Sequence, residues 1–332
     1  MQKRQLGRIG PKVSAIGIGA MSFTDFYGPT TKAASFDILH AALDLGIDHI
    51  DTANVYGRGL SEETIGAFLA EQGGACPFTI ATKAGIARDP DSGKTRFDNS
   101  PAHLAAELEG SLKRLGLEAV DLFYVHRRDQ TRPIEEVTET LAGLVKAGKT
   151  KSIGFSEIAP SSLRRAAAVY PVAAVQSEYS LSTRTPEIGL VQACEALGAA
   201  LVAFSPVGRG LLTDQPPTAD SVAASGFLKS NPRFSDENLS ANLRESDRLR
   251  SLAADMGRPA AALAIAWLLQ HGPHVIPIPG TRSVAHLREL AAGAELRLTA
   301  ADVARIEDAL PIGWAYGDRY STAQWAGPER YA

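Results

Sequence analysis

The chain has 332 residues, 45% of them hydrophobic and 21% charged, with a formal net charge of -3. That charge leaves no basic footprint for nucleic acid or an anionic membrane surface, and no apolar stretch approaches the length of a membrane span. Cys76 and Cys194 are the only cysteines, which excludes a disulfide framework and a cysteine metal site. Reduced, structural thiols in a cytoplasmic setting are expected, since Met1 to Gly7 also has no apolar signal core.

In chain order, Lys3 to Val13 reads as a β-hairpin turned at Gly10-Pro11. Ser14 to Gly19 is a strand with small residues where something must approach closely, and Met21 to Pro29 is the loop after it. Thr31 to Leu45 carries Phe36, Leu39, Ala42 and Leu43 on one helical face and stops at Gly46. A second strand ends at Asp51, and Ser61 is expected to cap a helix through Ile65, Phe68 and Leu69 to the Gly73-Gly74 break. A third strand, Thr79 to Thr82, runs into Lys83, and the polar stretch Ile86 to Asn99 reads as a loop. Ser100-Pro101 then joins an N-cap to proline at the first helical position, with Leu104, Leu108, Leu112 and Leu115 following to Gly116.

The alternation continues. Asp121 to Val125 runs into His126, and Pro133 opens a helix whose Val137, Leu141, Leu144 and Val145 form the buried stripe. Strand five is Ser152 to Phe155, with Pro160 to Tyr170 as its helix. Strand six, Ala173 to Val175, runs into Gln176, and its helix holds Leu190, Val191, Cys194 and Leu197. Strand seven is Ala200 to Phe204. Thr213 to Leu239 has no clear periodicity, the mark of a functional or mobile segment. Helices from about Ala241 and Pro259 precede strand eight, His274 to Ile278. Further helices follow Ser283 and span Ala300 to Leu310, before an irregular tail with Trp314, Tyr316, Tyr320, Trp325 and Tyr331. Eight strand–helix alternations without a linker predict an α/β chain forming a single (β/α)8 TIM barrel domain over residues 1–332. The N-terminal hairpin and the last helices are additions to it.

In such a barrel the C-terminal ends of the strands share one face, which carries the active site. Asp51, Tyr56, Lys83 and His126 therefore converge, though each alone is an ordinary residue for its place. A phenol titrates near ~10 and needs a nearby cation to work as an acid or base at neutral pH. Lys83 supplies that cation, Asp51 holds the lysine as an ion pair, and His126 can donate to a carbonyl oxygen. That is equipment for protonating an oxyanion as hydride reaches its carbon. After strands seven and eight, Ser205-Pro206-Val207-Gly208-Arg209-Gly210 offers backbone amides with little bulk, and Gly280-Thr281-Arg282-Ser283 opens a helix. Both suit phosphate, and the Arg282 guanidinium suits a phosphomonoester. No G-x-G-x-x-G follows the first strand, so a Rossmann domain is excluded.

These residues carry a resemblance. Asp51-Thr52-Ala53-Asn54-Val55-Tyr56-Gly57, Ala81-Thr82-Lys83 and Asp121-Leu122-Phe123-Tyr124-Val125-His126-Arg127 resemble the aldo-keto reductases. So do Ile153-Gly154-Phe155-Ser156-Glu157, Val175-Gln176-Ser177-Glu178-Tyr179-Ser180 and Phe204-Ser205-Pro206. The similarity covers essentially the whole chain and is closest to the long-chain branch that includes pyridoxal and perakine reductases.

The resemblance implies NADPH-dependent reduction of a small aldehyde or ketone to an alcohol by direct hydride transfer, without a metal. It implies Tyr56 as proton donor, Lys83 and Asp51 as its tuning pair, and His126 as the group orienting the carbonyl. Ser156 and Gln176 would hold the nicotinamide carboxamide, and Phe204 would stack on the ring. Ser205, Pro206, Gly208 and Gly210 would line the pyrophosphate, with Gly280, Thr281 and Arg282 at the 2′-phosphate, Glu289 at the adenine, and Met21 in the same cofactor set. Two positions depart from the family's pattern: Leu290 stands where Asn is common after Glu289, and Glu157 where Asn is frequent. The Thr213–Leu239 stretch resembles the family's cofactor-covering segment. Met21, Phe26, Tyr27, Arg127, Arg128 and the aromatic tail are all within reach of the barrel mouth, where packing or solvent-facing roles are the commoner ones; the Arg127-Arg128 pair hints at an anionic or polar substrate, and a surface salt bridge explains it equally well. Two other functions stay open: a cofactor-binding regulatory subunit like the potassium-channel β-subunits, and a barrel aldolase using Lys83 as a Schiff-base lysine. The sequence leaves the oligomeric state and the physiological carbonyl compound open.

Overall fold

The computed structural model describes residues 1–73, 76–89 and 93–331. A hairpin, β1 (Lys3–Gln5) and β2 (Lys12–Ser14), pairs Lys3 with Ser14 and Gln5 with Lys12. The barrel then begins with β3 (Ile18–Gly19), α1 (Lys32–Asp44), β4 (His49–Asp51), α2 (Leu60–Glu71) and β5 (Thr79–Ala84). A second hairpin follows, β6 (Ile86–Arg88) with β7 (Thr95–Phe97), and leads into α3 (Pro101–Leu115). Next come β8 (Leu122–Val125), α4 (Ile134–Lys146), β9 (Ile153–Ser156), α5 (Pro160–Val169), β10 (Ala174–Glu178), α6 (Leu190–Leu197) and β11 (Ala200–Phe204). After α7 (Ala219–Ala224), α8 (Asp236–Asp255) and α9 (Ala260–Gln270), β12 (Val275–Pro277) is the last strand, followed by α10 (Val284–Glu295) and α11 (Ala300–Ala309).

The large sheet is parallel throughout, in the order β12-β11-β10-β9-β8-β5-β4-β3. Its edges meet where Gly17 N–H donates to Pro277 O at 2.9 Å and Gly19 N–H to Pro279 O at 3.0 Å. The result is the expected (β/α)8 barrel. Its interior is filled by Ala81, Leu122, Tyr124, Ala174, Ala200, Val202 and Ile276, and Leu6 and Val13 of the N-terminal hairpin plug the end away from the site. Tyr124 fits because residue 154 is glycine: a Cβ there would come within 2.5 Å of the Tyr124 ring. A second, larger apolar layer packs the helices on the outer faces of the strands. Among the described residues no single helix is long and apolar enough to cross a membrane.

Some local expectations hold for the reasons given. Ser100 accepts from His103 N–H at the start of α3, Pro101 occupies the first turn, and Gly116 ends the helix in a left-handed conformation at φ 68. Others fail. Ser61 lies inside α2, not at its cap, which is Gly59; the Ser61 hydroxyl instead donates to Ala20 O at 2.8 Å and meets Thr52 Oγ1 at 2.8 Å. The Ile86–Asn99 stretch is the β6–β7 hairpin, with residues 90–92 outside the described residues, as is Gly74 of the expected helix break. The first barrel strand is shorter than expected, and β10 runs two residues past Gln176 to Glu178. Thr213–Leu239, read as aperiodic, contains short helical turns. A Thr218–Ser221 capping box starts α7, and Leu211, Val222, Leu228, Phe234 and Leu239 form a small core of their own. The helix expected from about Ala241 starts at Asp236.

Candidate active site

β4 ends in Asp51, and the chain beyond it stays alongside β5: Thr52 N–H donates to Ala81 O at 2.9 Å and Asn54 N–H to Lys83 O at 3.1 Å. This drops Tyr56 over Lys83, whose Nζ lies 5.1 Å from the centre of the phenol ring. The Lys83 ammonium, buried, donates to Asp51 Oδ1 at 2.5 Å and to Thr52 O at 2.6 Å. The other Asp51 oxygen accepts from Gln176 Nε2 at 2.7 Å. His126 follows β8 directly, its N–H extending the ladder to Ala84 O at 2.7 Å, and its ring meets the Tyr56 ring edge-on at 5.8 Å. The four residues singled out in the sequence thus form one contiguous group at the C-terminal face.

Burial dominates their electrostatics. It pushes the Tyr56 hydroxyl well above the ordinary phenol range, with Asp51 adding to the rise and Arg127 opposing it. Burial also lowers the Lys83 ammonium, against the attraction of Asp51. His126 is held well below the usual imidazole range by burial, then by Arg127 and Lys83. Its ring is therefore neutral near pH 7. Nδ1 is buried with no partner among the described residues, and the neutral ring carries one N–H, which on Nε2 makes it a donor. A protonated phenol beside a neutral imidazole donor can stabilise and protonate a developing oxyanion.

The other predicted residues surround this group. Ser156 is buried at the end of β9, where its Oγ accepts from Arg127 Nη1 at 3.1 Å. Phe204 ends β11, half-buried against the barrel interior, and Met21 sits on the turn after β3. The following loop is tight: Ser205 (φ 50), Gly208 (φ 59), Arg209 (φ 55) and Gly210 (φ 98) are all left-handed, with Pro206 buried between. Turns of this kind expose peptide N–H groups to anions. Gly280 and Thr281 lead to the N-terminus of α10, where Ser283 caps the helix by accepting from His286 N–H. Arg282 stands exposed there, donating to Pro29 O at 3.0 Å, with no carboxylate partner among the described residues. A bare guanidinium at a helix N-terminus is the donor set a phosphomonoester requires. Glu289 lies half-buried on α10, whereas Leu290 points into the core, so the departure at 290 concerns packing.

Sequence reading missed the charge network over this face. Glu157 (φ 58) and Glu178 are both buried, and both hold arginines. Arg319 of the tail donates to Glu157 Oε2 at 2.5 Å and lies 3.5 Å from Glu178; Arg209 binds Glu178 at 2.6 Å, and Arg233 approaches it at 3.7 Å. Burial pushes the Glu157 carboxyl up, but Arg319 and Arg127 outweigh it and the group ends below its usual range. Tyr320 is buried beside Arg209 and Arg319, and Glu329 binds Arg128 Nε at 3.2 Å and accepts from Ala159 N–H, just ahead of α5, at 2.8 Å. The tail is thus strapped across the mouth by ion pairs. A carboxylate inside a buried strand, Glu178, was the one signal in the sequence; nothing there pointed to Arg319. Among the described residues no His, Cys, Asp and Glu group is arranged to hold a metal ion.

Comparison with known proteins gives a consistent family. The aldo/keto reductase family model matches residues 15–311. An NADP(+) aldo-keto reductase, yakc, of Schizosaccharomyces pombe is 38% identical over 311 residues, covering 93% of this chain and 92% of its own. A probable aldo-keto reductase of Glycine max is 39% identical over 323 residues, covering 96% and 92%. Among solved structures, the glycerol dehydrogenase AKR11B4 of Gluconobacter oxydans is similar at TM-score 0.81 and 30% identity, over 93% of this chain and 94% of that one. The holo form of the aldo-keto reductase AKR11C1 of Bacillus halodurans is similar at TM-score 0.78 and 27% identity, over 98% and 99%.

Proposed function

The chain belongs to the aldo/keto reductase family, and from that premise we propose that it reduces an aldehyde or ketone to the alcohol with NADPH, Tyr56 protonating the carbonyl oxygen. The observation that carries this reading is the buried Lys83–Asp51 pair behind the Tyr56 ring with the His126 ring across its edge. When bound, NADPH supplies a hydride from its nicotinamide ring to the carbonyl carbon. The carbonyl oxygen, gaining negative charge, takes the hydrogen bond of His126 and then the proton of Tyr56. The phenolate left on Tyr56 faces the Lys83 ammonium, and solvent returns its proton. Asp51 keeps the lysine charged despite burial, which otherwise favours the neutral amine. Because Lys83 is held by Asp51 and Thr52 O, it is poorly disposed to attack a carbonyl, which counts against an aldolase.

Ser156, Gln176, Phe204 and Met21 would line the nicotinamide end. Ser205, Pro206, Gly208 and Gly210 would take the pyrophosphate, Gly280, Thr281 and Arg282 the 2′-phosphate, and Glu289 the adenine. The exposed Arg282 favours NADPH over NADH. The test is Tyr56→Phe: turnover falls by about 10²-fold or more, the usual contribution of a positioned acid, while NADPH binding persists. Full activity in that variant overturns the mechanism.

A further inference from the structure

Most cations around the mouth lie within ion-pair distance of a carboxylate. Lys83 has Asp51, Arg128 has Glu329, Arg209 and Arg233 share Glu178, and Arg319 has Glu157. Arg127 has no carboxylate within ion-pair distance among the described residues; the buried Glu157 carboxyl feels its charge but is itself bound by Arg319. Its guanidinium donates only to neutral oxygens: His126 O at 2.7 Å, Ser156 Oγ at 3.1 Å and, at the limit of a hydrogen bond, Tyr320 Oη at 3.4 Å. The side chain is fixed from behind, since a Cβ at Gly327 would come within 2.9 Å of its Cδ. It is half-buried and lies beside Tyr56 and His126, whose protons it influences.

A desolvated cation costs free energy unless an anion meets it, and a planar guanidinium with free N–H groups is shaped to grip a carboxylate or a phosphate. The neighbouring Arg128 shows the contrast: it is buried, its charge is met by Glu329, Nη2 donates to Arg132 O, and it belongs to the tail's anchorage. Resting on the carbonyl-reductase reading, we infer that Arg127, with the Tyr320 hydroxyl at its flank, is the anion-binding residue of the substrate pocket. The preferred substrate is then a carbonyl compound that itself carries a carboxylate or a phosphate. Arg127 is a specificity residue: it holds the charged end while Tyr56 and His126 handle the carbonyl.

The test compares matched aldehydes, 4-carboxybenzaldehyde with benzaldehyde and glyceraldehyde 3-phosphate with glyceraldehyde. The inference expects kcat/KM at least tenfold higher, mainly through KM, for the charged member of one pair, and the pair that responds identifies the anion. Arg127→Met should collapse that ratio towards one, whatever it does to the absolute rate of the neutral member, and Arg127→Lys should restore part of it. Equal ratios in wild type, or a Met variant that loses both members equally, overturn the inference. Terephthalate binding to the wild-type protein and to both variants, read by tryptophan fluorescence, needs no turnover. Binding weakened tenfold or more by Arg127→Met supports the anion site even if no aldehyde is reduced, in which case only the reductase reading falls. Binding unchanged in Arg127→Met overturns the anion site.

Discussion

Glu157 and Arg319 form a buried ion pair of 2.5 Å between residues 162 positions apart, fastening the C-terminal tail to the end of β9. Glu157 adopts a left-handed backbone at φ 58, which costs a non-glycine residue on the order of 1 kcal/mol or more, so the pair also holds a strained turn. Its Oε1 is equally engaged, accepting from Glu178 N–H at 2.9 Å and Ser177 Oγ at 3.1 Å.

Arg319→Met therefore strands the buried Glu157 carboxylate, while Glu178 keeps Arg209, and is expected to destabilise the protein by about 3–5 kcal/mol at neutral pH. The pH dependence follows from the lowered Glu157 carboxyl. Its contribution is fully present above the ordinary carboxylate range and is lost as pH falls through the folded-state value. The deficit of the variant, measured by denaturant unfolding, should therefore be greatest near neutrality and shrink in acid. A deficit independent of pH contradicts the pair.

Lys83→Met leaves Asp51 buried beside Gln176 without a cation, and should cost about 3–5 kcal/mol of stability together with most of the activity. Lys83→Met with Asp51→Asn removes both charges and should recover part of that stability without recovering turnover. A double-mutant cycle of unfolding free energies checks this, and strict additivity of the single effects contradicts direct coupling.

His126 is held well below the usual imidazole range, so the folded ring stays neutral throughout the physiological window. The pH profile of kcat/KM should show no limb near the ordinary histidine value, and His126→Ala should lower kcat by about 10²-fold. Stability has the opposite sensitivity. Below the ordinary imidazole range the unfolded ring gains a proton that the folded one does not, so stability declines with acid there. A kinetic limb near neutrality that vanishes in His126→Ala contradicts the neutral ring.

Arg282→Ala should weaken NADPH binding by about tenfold or more, the worth of a charge-assisted hydrogen bond, and leave NADH nearly unchanged. Fluorescence titration with both nucleotides reads it. Equal losses for the two nucleotides contradict a 2′-phosphate contact.

The barrel was legible because several buried strands run into a polar residue and the first helices carry an apolar stripe and a stop. Asp51, Tyr56, Lys83 and His126 could be found because the fold gathers strand ends on one face, whatever the side chains do elsewhere. What escaped was long-range or dense in local contacts. Ser61 looks like a cap but spends its hydroxyl on Ala20 and Thr52. Thr213–Leu239 lacks a helical period because it folds around a small irregular core of its own. The tail has no period either, and what positions it is Glu157, Glu178 and Arg128, residues that look like strand-end punctuation until Arg319 and Glu329 come back across the chain to meet them.

The central claim is that Tyr56 delivers the proton while the rest of the site binds and orients. The measurement that tests it most directly is Tyr56→Phe, assayed for NADPH consumption with an aldehyde and for NADPH affinity by fluorescence quenching on the same preparation. The account predicts unchanged affinity with turnover reduced by about 10²-fold or more. Turnover at the wild-type rate would contradict it.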